Sequence, residues 1–340
     1  MLNRESSRKG DLIPWLRRSI QGLGARESYA IAACAFLGAA TYLCVVATRY
    51  GLDLKVYRDA IAYWESGNDP YAASFTGLKL PFTYPPFALL ALSPVSWLDF
   101  LQSLYLLWAV SVASAVCAVV LVSGGGLPRI SEKGLLLSAG WVCVSVLALE
   151  PARSDMDYGQ VELILMSLIV CDLMTVPVKC RGILLGIVAA IKLTPLIFLV
   201  YLIAAGDMRS AGRAMVTLIG CTLTAFLLWP SESLEFWAHD ITEPGRDGTI
   251  SYAGNQCWYA VIQRMELSGD WTEAAWILIS LLTLGIGVFV TRRCMQRNRA
   301  PEALTAIALT RPGIGQSRKR EPSASLRSII RAARSASRRV

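Results

Sequence analysis

Charged residues and histidine are scarce in this sequence. Asp, Glu, Lys and Arg make up only 17% of the 340 residues, and His239 is the one histidine. Because soluble domains carry about 25% charged residues, this composition argues against an ordinary soluble protein. A single histidine also argues against a histidine-based catalytic triad and against a metal site with several histidine ligands.

Several motifs of common enzyme classes are missing as well. The sequence has no glycine-rich phosphate-binding loop and no Gly-x-Ser-x-Gly motif. Most of the nine cysteines fall within apolar runs and lack the paired spacing of metal ligands; these are Cys34, Cys44, Cys117, Cys143, Cys171 and Cys221. We interpret them as small core residues and expect neither a metal ion nor a cofactor.

Apolar residues dominate instead. They make up 54% of the chain, whose mean hydropathy is +0.46, which predicts an all-α polytopic membrane protein. Residues 29–48 carry no charge and match the roughly 20 residues that a helix needs to cross a bilayer. Further apolar runs cover residues 101–122, 135–149, 161–176, 183–205, 214–229 and 274–290. A run at 87–95 is too short to cross and is expected to lie along the membrane surface.

Basic residues flank these runs and give the chain a net charge of +8. Because short cytoplasmic loops are rich in Lys and Arg, this charge indicates membrane orientation rather than binding to nucleic acid. Residues 1–28 are expected to form a basic cytoplasmic N-terminus before an uncleaved anchor. Residues 29–291 would form the transmembrane domain, and residues 292–340 a basic, disordered cytoplasmic tail.

The run at 183–205 differs from the others. Arg181 before it and Arg209 after it are both assigned to the cytoplasmic side, so the chain between them must enter the bilayer and return. The stretch "KLTP" supplies a break, because Lys192 lies within the run and Pro195 cannot donate a helical hydrogen bond. Two half-helices of about ten residues would reach about the midplane. A kinked full crossing is the alternative.

Lys192 is the strongest single signal for a site. A charge in the middle of an apolar run costs about 2.5 to 3.5 kcal/mol on insertion scales, so it needs a partner or a function. Glu162 or Asp172 could supply a carboxylate partner, and a phosphate could instead bind near the ends of the broken helices. The loops expected on the outer face above Lys192 form the candidate active site; they comprise residues 50–84, 150–159 and 230–272.

Polar residues in these loops are the next candidates. Asp53 and Asp59 lie six residues apart just after the first run, so on a helix they would face different directions. One of them could act as a general base on a sugar hydroxyl, or both could belong to a solvated surface helix. Arg246 could contact an anion, and Asn255 and Gln256 could bind a sugar, although loop composition alone would also explain them.

Two further candidates have structural alternatives. Gln160 stands in "YGQVELI" at the start of an apolar run, where it could simply cap a helix. Tyr84 belongs to "FTYPPF", whose aromatic residues could serve the membrane interface.

Several stretches follow the order and spacing of a known family. They are "GLDLKVYRDA", "NDPY", "LPFTYPPFALL", "GQVELILM", "GIVAAIKLTPLIFLVYLI" and "EPGRDGTISYAGNQCWYAVIQR". Over roughly residues 45–290 the chain resembles the mycobacterial polyprenyl-phosphate-mannose-dependent alpha-(1,2)-mannosyltransferases of glycosyltransferase family 87. The resemblance implies the C-type glycosyltransferase fold, a transmembrane helix bundle with a broken, re-entrant helix and extracytoplasmic loops. It also implies a multi-pass plasma-membrane protein whose active site is on the extracytoplasmic side.

The reaction that the resemblance implies is an inverting transfer of mannose from polyprenyl-phosphate-mannose. The acceptor would be a growing mannan or lipoglycan, such as lipomannan, lipoarabinomannan or a phosphatidylinositol mannoside. By resemblance, Asp53 is the catalytic base, while the donor phosphate is bound by Lys192, Arg58 and Arg246. The substrate-binding residues would be Tyr57, Asp59, Tyr84, Gln160, Asn255 and Gln256.

The chain also departs from the family pattern. Glu162 replaces the asparagine of a Gly-Gln-x-Asn motif, and Cys257 follows Gln256 where serine is usual. No motif like Ser-Pro-x-Ser-Trp-x-His-His follows residue 290. Three alternatives therefore stay open: transfer of arabinofuranose, a transporter or flippase of lipid-linked sugars, and an inactive truncated member of the family.

Overall fold

The computed structural model describes residues 51–122, 149–242, 257–265 and 270–297, with isolated helical positions at 30, 33, 34, 36–38, 41, 139, 140, 304, 307 and 308. Regular structure within these ranges is helical, and the one strand-like contact there is a bridge between Phe75 and Leu80. The predicted all-α fold is confirmed. The chain divides into two compact units, Met1–Trp237 and Ala238–Val340.

The described part of the first unit contains nine α-helices of 6 to 23 residues, the last of which ends one residue beyond its boundary. In chain order they are α1 (Leu52–Glu65), α2 (Phe87–Leu92), α3 (Phe100–Val122), α4 (Glu150–Tyr158), α5 (Glu162–Met174), α6 (Ile183–Ile191), α7 (Ile197–Ala204), α8 (Met208–Leu228) and α9 (Pro230–Ala238). In the second unit, α10 (Trp258–Arg264) packs against α11 (Asp270–Gln296), where the rings of Tyr259 and Trp276 meet edge to face at 5.6 Å.

Three described helices, α3, α8 and α11, are long and apolar enough to cross a membrane. At about 1.5 Å per residue, each is long enough for a hydrocarbon core of about 30 Å. They coincide with the predicted apolar runs at 101–122, 214–229 and 274–290. Apolar side chains of α8 point outwards, with Val216 70% exposed and Leu227 85% exposed, which is typical of a surface that contacts lipid.

The other predicted apolar runs either form helices shorter than a membrane span or lie mostly outside the described residues. Residues 161–176 form α5, which has only 13 residues, and residues 87–95 form the short α2 and a 3₁₀ turn. The runs at 29–48 and 135–149 lie outside the described residues except for isolated positions, as do the predicted N-terminus and most of the predicted tail. The number of spans and the domain boundaries therefore stay predictions.

Residues 183–204 form a helical hairpin. Its first arm, α6, runs parallel to α8, because their contacts advance together along both helices: Gly182 with Ser210, Gly186 with Ala214, and Ala190 with Leu218. Its second arm, α7, ends three residues before α8 begins and packs back along it in the opposite direction. Arg181 and Asp207, which flank the hairpin, form an ion pair at 3.5 Å. The chain thus enters and leaves at the same end of α8, as the re-entrant prediction required.

Lys192 lies at the tip of this hairpin. It follows α6 in an extended conformation, and the 3₁₀ turn Thr194–Leu196 leads into α7. The constant offset between α6 and α8 puts Lys192 level with the middle of α8. The predicted break at "KLTP" is confirmed. If α8 crosses the bilayer, Lys192 lies near its midplane.

Candidate functional site

Two glycines bring α1 and α4 together. Gly51 precedes α1 with φ of +85°, and its N–H donates to the carbonyl of Asp157 at 2.8 Å. Gly159 follows α4 with φ of +66°, and a Cβ there would lie 3.0 Å from the Cβ of Leu54. Other residues rarely adopt this backbone conformation, and a side chain would separate the helices. The polar residues that follow these glycines are therefore held side by side.

Asp53 and Gln160 form the first half of the site. The Gln160 Nε2 donates to Asp53 Oδ2 at 2.5 Å, and Asp53 is only 8% exposed. Asp53 also lies in the first turn of α1, where the helix dipole stabilises a carboxylate. The amide fixes the orientation of the carboxylate, which is a requirement for a general base. Gln160 was predicted to bind substrate or to cap a helix. Its side chain contacts the predicted base, and its role in substrate binding stays a prediction.

Lys192 and Tyr84 form the second half. Lys192 Nζ donates to Tyr84 Oη at 3.0 Å and to Glu162 Oε1, and it lies 4.7 Å from the centroid of the Tyr84 ring. Of the two carboxylates considered from the sequence, Glu162 is the partner. Antiparallel packing of α5 against α6 explains this choice, because it brings Glu162 to the level of Lys192 and Asp172 to the level of Gly182.

Tyr57 connects the two halves. It lies one turn after Asp53 on α1, so both side chains share a face of that helix, and its hydroxyl is 2.7 Å from that of Tyr84. Burial raises the pKa of Tyr57 well above its usual value, and the neighbouring Tyr84 and Asp53 raise it further. Burial and the negative charge of Glu162 likewise raise the pKa of Tyr84. Both hydroxyls therefore keep their protons at neutral pH.

The loop before α2 fixes Tyr84. Its carbonyl accepts a hydrogen bond from the Tyr71 hydroxyl at 2.8 Å, and its ring lies 5.9 Å from that of Phe82. Pro86 follows directly and precedes α2, where the fixed φ of proline suits the start of a helix. The stretch "FTYPPF" thus presents the Tyr84 hydroxyl to Lys192 as well as supplying aromatic packing.

Asp155 is a member of the site that the sequence reading missed. The backbone N–H of Glu162 donates to Asp155 Oδ1 at 3.2 Å, whereas Asp155 Oδ2 is buried without a hydrogen-bond partner among the described residues. Burial, followed by the negative charge of Glu162, raises the pKa of Asp155 to about 8. Asp155 therefore holds a proton at neutral pH. The only sequence signal was its position in "EPARSDMDYG", a segment assigned to the outer loops.

Arg58 and Asp59 lie on α1 but have other surroundings. The Arg58 guanidinium donates to the carbonyls of Val95 and Leu98 and to Ser103 Oγ. These bonds attach α1 to the start of α3, which favours a structural role, and the assignment of Arg58 to the donor phosphate stays a prediction. Asp59 is half-buried, and its role in substrate binding is also untested.

Three predicted site residues, Arg246, Asn255 and Gln256, lie outside the described residues. Within the ranges that the structure covers, no group of three or more His, Cys, Asp or Glu side chains could hold a metal ion. The described site therefore consists of one ammonium, three carboxyl groups, two tyrosine hydroxyls and one amide.

Comparison with known proteins gives a consistent result. The profile of glycosyltransferase family 87 matches residues 82–311. A polyprenol-phosphate-mannose-dependent alpha-(1-2)-phosphatidylinositol mannoside mannosyltransferase of Mycolicibacterium smegmatis is 31% identical over 76% of this chain and 62% of its own length. The protein of the same name from Mycobacterium tuberculosis is 28% identical over 77% of this chain and 65% of its own length.

Another relative from Mycobacterium tuberculosis is a polyprenol-phosphate-mannose-dependent alpha-(1-2)-phosphatidylinositol pentamannoside mannosyltransferase. It is 27% identical over 70% of this chain and 55% of its own length. The chain thus spans less than two thirds of the length of these relatives. No solved structure gives a significant match. The family profile covers more than half of the chain, including Tyr84, Gln160 and Lys192, and this chain therefore belongs to glycosyltransferase family 87.

Proposed function

We propose that this chain transfers mannose from polyprenyl-phosphate-mannose to a mannosylated lipid and forms an alpha-(1,2) linkage. The observation that carries the proposal is a buried carboxylate, Asp53, which Gln160 orients and which shares a face of α1 with Tyr57. The Tyr57 hydroxyl contacts that of Tyr84, which accepts a hydrogen bond from the buried ammonium of Lys192. An inverting transfer requires a base on the acceptor side and a cation on the phosphate side. The site contains both.

For the acceptor we propose a phosphatidylinositol mannoside. The sequence reading named mannan or lipoglycan acceptors in general, with lipomannan and lipoarabinomannan among them. The names of the related mycobacterial proteins specify phosphatidylinositol mannosides, which supports the smaller lipid acceptor. An arabinofuranose donor finds no support in those names.

In the proposed reaction, Asp53 removes the proton from the 2-hydroxyl of the acceptor mannose. The oxygen attacks the anomeric carbon of a beta-linked mannosyl phosphate from the opposite face, so the new bond is alpha. The bond between the anomeric carbon and the phosphate oxygen breaks, and polyprenyl phosphate leaves with the electron pair. Gln160 holds Asp53 in position and leaves its negative charge in place.

Lys192 stabilises the departing phosphate. Its ammonium is nearly dehydrated, so its attraction to a phosphate is stronger than in water. Tyr84 orients the ammonium through a hydrogen bond and through its ring. The tip of a hairpin at the level of the middle of α8 is a suitable location for a phosphate carried by a membrane lipid.

We further propose a multi-pass plasma-membrane protein whose site opens to the outer side. The three apolar helices and the hairpin, which returns to the side that it left, support this topology. The excess of basic residues in the predicted cytoplasmic segments supports this orientation. Under this topology, Asp53 and Gln160 are near the outer surface and Lys192 lies deeper.

Transfer of radiolabelled mannose tests the proposal. Membranes that contain the full chain, or its Asp53→Asn or Asp59→Asn variant at equal abundance, are supplied with polyprenyl-phosphate-[¹⁴C]mannose and a phosphatidylinositol mannoside. We expect alpha-(1,2)-linked product from the wild-type and Asp59→Asn proteins and none above background from Asp53→Asn. Donor movement across the membrane without product would contradict the proposal and favour a transporter.

A further inference from the structure

Glu162 occupies the position at which an anion would contact Lys192. Its Oε1 accepts a hydrogen bond from the Lys192 ammonium. The side chain of Lys192 is 7% exposed, whereas that of Glu162 is 28% exposed. Glu162 is therefore the more accessible member of this ion pair. An incoming phosphate would compete with its carboxylate for the hydrogen bonds of the ammonium.

Glu162 also neutralises the charge of Lys192 when no donor is bound. A buried ammonium with no counter-charge would be strongly destabilising, and Glu162 removes this cost when no donor is bound. Phosphate and carboxylate compete for the same donor groups, because both are anionic oxygen acceptors. A carboxylate that moved away would in turn need a new hydrogen-bond donor, since an unpaired buried charge is costly.

Asp155 is located where it can supply that donor. It is 4% exposed, its Oδ1 already accepts the Glu162 N–H, and its buried Oδ2 lacks a hydrogen-bond partner among the described residues. Two carboxyl groups can form a hydrogen bond only if one of them is protonated. A proton on Asp155 would make it a donor to the Glu162 carboxylate next to it.

We propose that Glu162 is a displaceable counter-anion of Lys192: the phosphate of the donor replaces it at the ammonium, and the Asp155 carboxyl group donates a hydrogen bond to the released carboxylate. The inference rests on the proposed function, since it takes the ligand to be a lipid phosphodiester. No covalent bond changes in this exchange. The phosphodiester brings one negative charge to Lys192, and Glu162 keeps its own charge in a hydrogen bond from Asp155.

A dependence on pH follows. The groups that act on the pKa of Asp155 are Glu162 from α5 and Lys192 from the hairpin tip. Tyr84, from the loop before α2, and Tyr57, from α1, lie near Glu162 in turn, and Asp53 lies near Tyr57. The pKa of Asp155 is about 8, so below this pH Asp155 holds its proton. Above it Asp155 becomes an anion, cannot donate to Glu162, and leaves Glu162 paired with Lys192. Donor affinity is therefore expected to fall as the pH rises through about 8.

Binding of polyprenyl-phosphate-mannose to the purified full chain in nanodiscs, without acceptor, tests this inference. The donor is a phosphodiester, whose charge is constant over the neutral and mildly alkaline range. We expect Glu162→Gln to bind the donor at least about tenfold more tightly than wild type at neutral pH, since its competitor is gone. Asp155→Asn is expected to remove the decrease in affinity through about pH 8. Matched controls are Glu150→Gln and Asp157→Asn, at partly or fully exposed positions on α4.

The outcomes separate the two proposals. Tighter binding by Glu162→Gln, together with pH-independent binding by Asp155→Asn, supports the exchange. Donor binding and mannose transfer by wild type, with unchanged or weaker binding by Glu162→Gln, overturn the exchange and leave the proposed function intact. If Glu162→Gln fails to fold, wild-type binding that does not change through about pH 8 overturns the exchange by itself. Absence of donor binding by the wild-type chain contradicts the proposed function and the exchange together.

Discussion

The two ends of the contact between α5 and α6 use the same chemical group differently. At one end, Asp172 is fully buried and accepts hydrogen bonds from the backbone N–H groups of Gly182 and Leu185 at 2.8 and 3.3 Å. At the other end, Glu162 is partly exposed and contacts the side chain of Lys192. Asp172 thus stabilises the start of α6, while Glu162 neutralises a charge that the proposed reaction requires. The comparison separates a structural carboxylate from a functional one.

The difference follows from what each carboxylate contacts. Backbone N–H groups at the start of a helix are present in every state of the protein, so nothing can replace Asp172 without loss of the helix end. A lysine ammonium can exchange one anion for another. Burial alone would have ranked Asp172 as the more important site residue, whereas its partners identify it as structural.

The largest effect is expected at the functional end, from Lys192→Met. Loss of the cation should reduce mannose transfer by about 10²- to 10³-fold, which is typical when a group that stabilises transition-state charge is removed. The variant should also be less stable, because Glu162 is left without its partner. A Lys192→Met/Glu162→Gln double variant is the control: it should regain stability but not transfer, as measured by thermal unfolding and by product formation. Near-normal transfer by the double variant would contradict the role of Lys192.

At the structural end, Asp172→Ala should change stability and not affinity. Two buried N–H groups lose their acceptor, which costs about 2 to 5 kcal/mol of unfolding free energy. The protein that remains folded should keep the KM for the donor, since Gly182 is distant along α6 from Lys192. Asp172→Asn, which retains one acceptor oxygen, should be intermediate in Tm. An Asp172 variant with a changed donor KM and a wild-type Tm would contradict the assignment of Asp172 to a purely structural role.

The raised pKa of Asp155 predicts how the stability of the wild-type fold depends on pH. Its folded pKa of about 8 lies above the value of about 4 for an exposed aspartate. The group therefore binds its proton more tightly in the folded state, and its stabilising contribution is complete below about pH 4 and is lost as the pH rises through about 8. The Tm should fall as the pH rises from about 4 to about 8 in wild type and in Asp157→Asn, and it should change little from this cause at higher pH. A similar fall in Asp155→Asn would assign the effect to another group.

The smallest effect is expected from Gln160→Ala, which leaves both charges in place. Asp53 loses a hydrogen bond of about 1.5 kcal/mol, so the kcat for transfer should fall about tenfold while the KM for the donor stays constant. Gln102→Ala, an exposed glutamine on α3, is the matched control. A higher donor KM with unchanged kcat would instead indicate that Gln160 binds substrate, as predicted from the sequence.

The sequence predicted the hairpin because its signals were local. Arg181, Arg209 and the proline of "KLTP" are close in the chain, and the charge rule requires no knowledge of packing. The same holds for the apolar lengths of α3, α8 and α11. The resemblance to the family, which the comparisons confirm, supplied Asp53 as the candidate base.

The contacts within the site could not be predicted because they depend on helix register. The choice between Glu162 and Asp172 as the partner of Lys192 is decided by how far α5 is displaced along α6. Asp53 and Gln160 are 107 residues apart and meet only where Gly51 and Gly159 let α1 and α4 approach. Asp155 gave no signal because its burial comes from this same packing.

Comparison of donor binding with transfer by purified Asp53→Asn tests the central claim most directly. The variant removes only the proposed base, so its Kd for polyprenyl-phosphate-mannose should stay within about threefold of the wild-type value. This is a smaller change than the tenfold that corresponds to about 1.4 kcal/mol of binding free energy. Its transfer to a phosphatidylinositol mannoside should fall by at least about 10²-fold, the lower end expected for loss of a general base. Transfer close to the wild-type rate, or a loss of binding that accounts for the loss of transfer, would contradict the assignment of Asp53 as the base.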